Sequence, residues 1–268
     1  MIQQEVEASA DGVVVMGIGF AEGGSFPGSA VSIVVIHGFS GSPASFVPQV
    51  EAFLDKGWRV EVPLLPGHGT TPEDLATTRY ADWWRVAEAS VKSVLAEGLP
   101  TYVMGLSMGG TLTLQAAGTF PSLSGVLVVN PAIERPADSF MDLGRMMVEQ
   151  GEEYLPGVGS DIAKPGVIEP SYDRTPIAAA LSLFDAVEGV SALIKSTSVP
   201  AILFSSKNDH VVPPSASDFL VDNYGGSIER IWIDRSFHVA TIDFDAELIT
   251  DRAISWIEEH LGSAKVRA

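Results

Sequence analysis

Short runs rich in Val and Ile recur along this chain and alternate with segments of helical period. The runs cover residues 13–18, 31–36, 58–62, 101–106, 126–130, 201–205 and 228–233. Most lack a polar–apolar alternation, as expected of strands covered on both faces. Helical patterns intervene at residues 43–56, 82–97, 109–117, 215–223 and 246–260. Strand alternating with helix predicts βαβ units, right-handed crossovers and a doubly wound, mostly parallel sheet. Hydrophobic residues make up 46% of the 268, enough for a sizeable core.

One segment breaks the rhythm. About seventy residues separate Asn130 from Ala201, whereas a crossover between parallel strands needs about a dozen. Pro156, Gly157, Gly159, Pro165, Gly166, Pro170 and Pro176 punctuate the excess. Residues 131–187 are therefore predicted to form an inserted cap, with residues 1–130 and 188–268 as the core. Leu143, Met146, Met147, Val148, Leu181, Leu183 and Phe184 call for burial and argue against a disordered linker.

Gly105-Leu106-Ser107-Met108-Gly109 fits G-x-S-x-G and stands between a strand and a helical run. That is the context in which this pattern forms a nucleophile elbow. The chain turns sharply there, the flanking glycines give backbone room, and the following helix N-terminus favours negative charge. A serine hydroxyl at its free pKa is a poor nucleophile, so Ser107 needs a base, and the base needs an orienting acid.

In the elbow context the chain order is Ser, then Asp or Glu, then His. His238 follows the last strand and is the predicted base; His260 sits on the polar face of the final helix and reads as solvated. Asp209, at a strand end in Lys207-Asn208-Asp209-His210, is the predicted acid. Its neighbour His210 should point elsewhere and serve the loop. Asp234 and Asp243 lie too close to His238 in sequence to approach it from the preceding strand. The oxyanion of a tetrahedral intermediate needs two backbone N–H donors. Met108, after the nucleophile, supplies one. Phe39, in His37-Gly38-Phe39-Ser40-Gly41, supplies the other, with His37 fixing the loop by hydrogen bonds and His68 in a structural turn.

Charge and residue usage remove several function classes. The net charge of −18 repels polyanions and disfavours adsorption to anionic lipid. The chain has no Cys, which excludes disulfides, Cys-ligated zinc and a thiol nucleophile. The first residues lack the basic region of a secretory signal, and no stretch is expected to reach the ~20 apolar residues of a membrane span. A cytoplasmic location is the expectation.

The chain resembles the α/β-hydrolase superfamily along nearly its whole length, and more narrowly the bacterial monoacylglycerol lipases and small carboxylesterases. The matching pieces are His37-Gly38-Phe39-Ser40-Gly41-Ser42-Pro43, Pro66-Gly67-His68-Gly69-Thr70 and Gly105-Leu106-Ser107-Met108-Gly109-Gly110-Thr111-Leu112-Thr113-Leu114. To these are added Asp209-His210-Val211-Val212-Pro213-Pro214 and His238-Val239-Ala240-Thr241-Ile242-Asp243, with looser cap matches at Gly159-Ser160-Asp161 and Tyr172-Asp173-Arg174-Thr175-Pro176. The resemblance implies an α/β-hydrolase fold with Ser107 as nucleophile, Asp209 as acid, His238 as base, and Phe39 and Met108 as oxyanion donors. It implies a cap lining an acyl pocket, with Glu169 and Val158 facing the substrate, though Pro170 after Glu169 departs from the pattern. No cofactor or metal is required. The implied substrate is a small ester or a monoacylglycerol, with no nucleic-acid partner and no stable membrane insertion. The triad alone does not separate ester hydrolysis from thioester cleavage, C–C bond hydrolysis or perhydrolysis. A binding protein on an inactive scaffold fits poorly, because all three triad members and both elbow glycines are present. Homo-oligomerisation is left open.

Overall fold

A computed structural model describes Val14–Val15, residues 22–157 and residues 160–266. In chain order the strands are β1 (Val14–Val15), β2 (Gly24–Phe26), β3 (Ser32–Ile36), β4 (Arg59–Val62), β5 (Thr101–Leu106), β6 (Gly125–Val129), β7 (Tyr154–Pro156), β8 (Val167–Ile168), β9 (Arg174–Pro176), β10 (Ala201–Ser206) and β11 (Ile228–Ile233). The helices are α1 (Val47–Asp55), α2 (Pro72–Ala76), α3 (Tyr80–Leu95), α4 (Met108–Thr119), α5 (Asp138–Glu149), α6 (Ile177–Ile194), α7 (Ser215–Asn223) and α8 (Ala246–Val266). A 3-10 turn over Pro43–Phe46 leads into α1.

The main sheet has seven strands in the order β11-β10-β6-β5-β3-β4-β2, all parallel except β2, which pairs antiparallel with β4. Strand periodicity divides the side chains between two faces. On one face Val34, Ile36, Val103, Val126, Val128 and Leu203 pack under α3, α4, α6 and α7. On the other, Ile33, Val35, Met104, Leu127, Ile202 and Phe204 pack under α1 and α8. With helices on both faces, the strands bury apolar residues in both directions and so show no alternation in sequence. The parallel strand ends β3, β5, β6, β10 and β11 share one edge, and the loops leaving that edge carry the candidate site.

Several expectations need correction. Of the run at residues 13–18, only Val14–Val15 is described, and it pairs with Val167–Ile168 of the inserted segment instead of joining the main sheet. Leu183 is buried as expected, but Leu143, Met146 and Val148 are exposed, and Met141 is the buried residue of α5. Helix α5 packs against α6, while its Phe140, Leu143, Met146 and Val148 face out. Helix α6 runs through the predicted cap boundary at Val187, and its Ala179, Leu183, Val190 and Ile194 join the core beneath. By length and composition alone its 18 residues, which include Asp185 and Glu188, are apolar enough to cross a membrane. In this fold one face of the helix, with Ile177, Ala179, Leu183, Val187, Val190 and Ile194, is buried, and the helix packs against α4.

Candidate active site

Ser107 stands at the junction of β5 and α4, with φ 55° and ψ −117°. A non-glycine residue in this conformation carries strain on the order of 1–3 kcal/mol and persists only where the surroundings enforce it. They do so here. The Ser107 N–H donates to Val129 O at 3.0 Å, and its carbonyl accepts from Thr111 N at 3.0 Å and Ala132 N at 3.2 Å. The two flanking glycines are required by close approach. A Cβ on Gly105 would stand 2.1 Å from Gly109 O, and one on Gly109 would stand 2.0 Å from Ile36 O. Met108 opens α4, where a backbone N–H has no carbonyl one turn back to pair with.

Asp209 follows β10, and His238 follows β11. Their side chains meet at 2.7 Å between Asp209 Oδ2 and His238 Nδ1, with Asp209 1% and His238 8% exposed. Asp209 Oδ1 accepts the N–H groups of Val211 and Val212, each at 2.8 Å, which fixes the carboxylate. A carboxylate accepting from Nδ1–H leaves Nε2 unprotonated and available as a base. The other candidates are placed elsewhere. His210 is 61% exposed and meets Asp161 at 2.8 Å. His260 Nδ1 lies 2.8 Å from Trp256 O, one turn back in α8. Asp234 pairs with Lys207 in solvent. Asp243 is buried and accepts four backbone N–H groups, from Ala163, Lys164, Phe237 and Phe244.

The loop after β3 crosses the elbow. Gly38 passes close enough that a Cβ there would lie 3.5 Å from Ser107 Cβ. Phe39 is the next residue of this loop. His37 locks the loop: its Nδ1 faces Gly38 O at 2.9 Å, and its Nε2 accepts from Leu65 N at 3.1 Å. Those partners demand the neutral ring. Burial drives His37 down to about 3, with His68 beside it adding to the effect, and burial lowers His68 to about 4. Both rings are therefore neutral at pH 7 and suited to bracing rather than proton transfer. Phe39, His68 and Trp83 pack edge to face around them.

Residues of the segment between β6 and β10 meet the loop after β3, the loop after β4 and helix α2. Tyr172 donates to Gly67 O at 2.9 Å and accepts from Thr70 N at 2.9 Å, and Arg174 pairs with Glu73. Glu169 is 7% exposed and lies against the loop after β3: a Cβ on Gly41 would stand 2.6 Å from its Oε1. Val158 lies outside the described residues. Burial raises the Glu169 carboxyl from its ordinary 4.5 to about 7, opposed by nearby His238. Between those two values the folded protein holds a proton that the unfolded chain has lost, so stability falls as pH rises from 4.5 to 7. The loss approaches about 3 kcal/mol at 1.36 kcal/mol per unit. Glu169→Gln removes the ionisation, so denaturant unfolding at pH 5 and pH 8 should show a smaller pH-dependent loss in the variant. Identical pH dependences would mean that Glu169 is not held away from water.

Sequence reasoning did not anticipate two polar residues that touch the His238 loop, Asn130 and Asp161. The available signal for Asn130 was an Asn closing a run of Val, a residue type that tolerates the left-handed backbone it adopts here at φ 42°.

The sequence profile of the alpha/beta hydrolase family matches residues 33–249. The chain is 35% identical over 235 residues to the thermostable monoacylglycerol lipase of Bacillus sp. (strain H-257), covering 87% of this chain and 92% of that protein. It is 21% identical to the carboxylesterase of Bacillus subtilis (strain 168), over 88% of this chain and 95% of that one. A chain from the structural work on LipS and LipT, two metagenome-derived lipolytic enzymes, superposes with a TM-score of 0.85 at 35% identity, covering 92% of this chain and 100% of that chain. The monoacylglycerol lipase of Paleococcus ferrophilus shares the fold with a TM-score of 0.73 at 17% identity, over 89% and 98% of the two chains.

Proposed function

The chain belongs to the alpha/beta hydrolase family, and from that premise we propose that it hydrolyses monoacylglycerols and short- to medium-chain carboxylic esters through an acyl-enzyme on Ser107. The observation that carries this reading is the buried Asp209–His238 pair at 2.7 Å, on the same sheet edge as the strained Ser107 elbow. Ser107 Oγ attacks the ester carbonyl while His238 Nε2 takes its proton. Asp209 keeps the ring in the tautomer that permits this and stabilises the imidazolium that forms. The N–H groups of Phe39 and Met108 receive the oxyanion. His238 returns the proton to the departing alcohol, and water repeats the sequence to release the acid.

The segment at residues 131–187 acts as a cap over this site. Each acyl CH₂ that it removes from water contributes about 0.8 kcal/mol. Discrimination between adjacent chain lengths is therefore modest. A glycerol leaving group brings two further hydroxyls, which a closed site must satisfy. Glu169 is the group that receives them, since its carboxyl is buried, lies against Gly41 and is near His238.

A p-nitrophenyl ester chain-length series run beside 1-monoacylglycerols, diacylglycerols and triacylglycerols tests the reading. Monoacylglycerols and short to medium esters are expected to turn over, with little activity on triacylglycerols; vigorous hydrolysis of emulsified triacylglycerol would contradict a roofed site. Glu169→Ala should lower kcat/KM for 1-monoacylglycerols about tenfold, roughly 1.4 kcal/mol, and leave simple p-nitrophenyl esters nearly unchanged. Equal losses on both substrates would remove Glu169 from the alcohol side of the site.

A further inference from the structure

His238 is held by more than Asp209. Both peptide groups that flank its Cα end on side chains from distant parts of the sequence. The His238 carbonyl accepts from Asn130 Nδ2 at 2.8 Å. The His238 N–H donates to Asp161 Oδ2 at 3.1 Å. Asn130 leaves β6 in the core, and Asp161 belongs to the inserted segment. We propose that Asn130 and Asp161 are positioning residues that clamp the backbone of His238 from the core and from the cap, so that the cap takes part in aiming the base.

The Asn130 amide is fully committed. Its Nδ2 reaches Ser206 Oγ at 3.0 Å and Phe237 O at 3.4 Å, besides His238 O, while its Oδ1 accepts from Ser206 N at 2.8 Å. Ser206 Oγ in turn donates to Phe237 O at 2.8 Å. The residue is 3% exposed, so each of these bonds forms away from competing water. Its backbone N–H donates to Phe204 O, which registers the whole network to β10. The backbone of Asn130 is left-handed, at φ 42°.

Asp161 is committed in the same way on the other side. Oδ2 also accepts the His210 N–H at 3.1 Å, Oδ1 meets His210 Nδ1 at 2.8 Å, and the Asp161 carbonyl accepts from Val239 N at 3.1 Å. One carboxylate thus ties the loop that carries Asp209 to the loop that carries His238. Asp209 sets the tautomer and tilt of the imidazole, but a ring hinged on a mobile backbone could still swing its Nε2 away from Ser107. A misplacement of about 1 Å costs on the order of 10²-fold in rate. The clamp removes that freedom at both ends of the residue. Removing the Asp161 carboxylate leaves the segment in place, because Asp243 holds Ala163 N and Lys164 N at 2.7 and 2.8 Å.

The proposal rests on His238 being the base, and the experiment separates the two. kcat and KM for p-nitrophenyl butyrate are measured for the parent protein, Asp161→Ala, Asp161→Asn, Asn130→Gly and His238→Ala, at a temperature where thermal melts show each to be folded. Glycine is chosen at 130 because it accepts positive φ without strain. Asp161→Ala and Asn130→Gly should each lower kcat on the order of tenfold, with KM changed less than about twofold. Asp161→Asn should recover most of the loss, since its carboxamide oxygen can still accept the His238 N–H. His238→Ala should be inactive. Full kcat in Asp161→Ala, or a loss in Asp161→Asn as deep as in Asp161→Ala, would overturn the clamp while His238 stays the base. An active His238→Ala would overturn the base itself. Should Asn130→Gly fail to fold, the Asp161 pair decides alone.

Discussion

Replacing Ser107 with Ala should leave a folded protein that no longer turns over esters. The substitution keeps the Cβ and removes only the hydroxyl, so it adds nothing to the strain already present at φ 55°. The backbone bonds that hold the elbow, to Val129, Thr111 and Ala132, involve no side-chain atom of Ser107. The melting temperature is therefore expected to stay close to that of the parent. The rate should fall by at least ~10⁴-fold, because the acyl-enzyme route is lost while the oxyanion donors and the bound-substrate geometry survive. Steady-state kinetics on p-nitrophenyl butyrate and a thermal melt of the same sample check both halves. Turnover within tenfold of the parent would move the nucleophile elsewhere.

Asp209→Asn is expected to be almost as damaging, at roughly 10⁴-fold in kcat. The structure gives a specific reason. Oδ1 of Asp209 receives two N–H groups, from Val211 and Val212, at 2.8 Å each. An Asn side chain will therefore place its carbonyl oxygen there and turn its NH₂ toward His238 Nδ1. That nitrogen must then accept, which puts the ring proton on Nε2 and leaves nothing to take the serine proton. His210→Ala should be far milder, because His210 is largely exposed and touches Asp161 instead. Kinetics on the two variants side by side discriminate sharply: a deeper loss in His210→Ala than in Asp209→Asn would reverse the assignment.

The β5 and β11 boundaries read from the Val and Ile runs coincide with the structure, and those of β3, β4, β6 and β10 lie within a residue of it. Strands buried on both faces have little choice of residue, so their signal is strong. Helices α3 and α4 were legible from period and from position after the elbow. Helix α2 was not anticipated, although Thr71-Pro72-Glu73-Asp74 carries a start signal: Thr71 accepts from Asp74 N, Pro72 follows, and acids fill the first turn. Its five residues are too short to show a period. Strand β2 was missed because Gly24-Ser25-Phe26 has no strand composition and exists only by pairing with β4.

The candidate site divides along the same line. Ser107, Met108 and Phe39 could be read locally, from an elbow pattern and a glycine loop after a strand. Asp209 and His238 needed only chain order and strand ends. The clamp on His238 was invisible, since Asn130, Asp161 and His238 lie as much as 108 residues apart. No local rule connects an Asn closing one strand to a carbonyl on another loop. The brace at Asp243 was invisible for the same reason: in sequence it looked like a rival acid, and only the fold shows its carboxylate spent on four N–H groups. The exposure of Leu143 and Met146 was misread because apolar composition was taken to mean burial.

Covalent labelling tests the central claim most directly. A fluorophosphonate mimics the tetrahedral intermediate and requires an activated serine, a working base and oxyanion donors together. Intact-mass analysis after brief treatment, followed by peptide mapping, should find one adduct per chain on the peptide bearing Ser107, and no adduct in Ser107→Ala. An adduct on a different serine, or an unlabelled parent protein, would contradict the account.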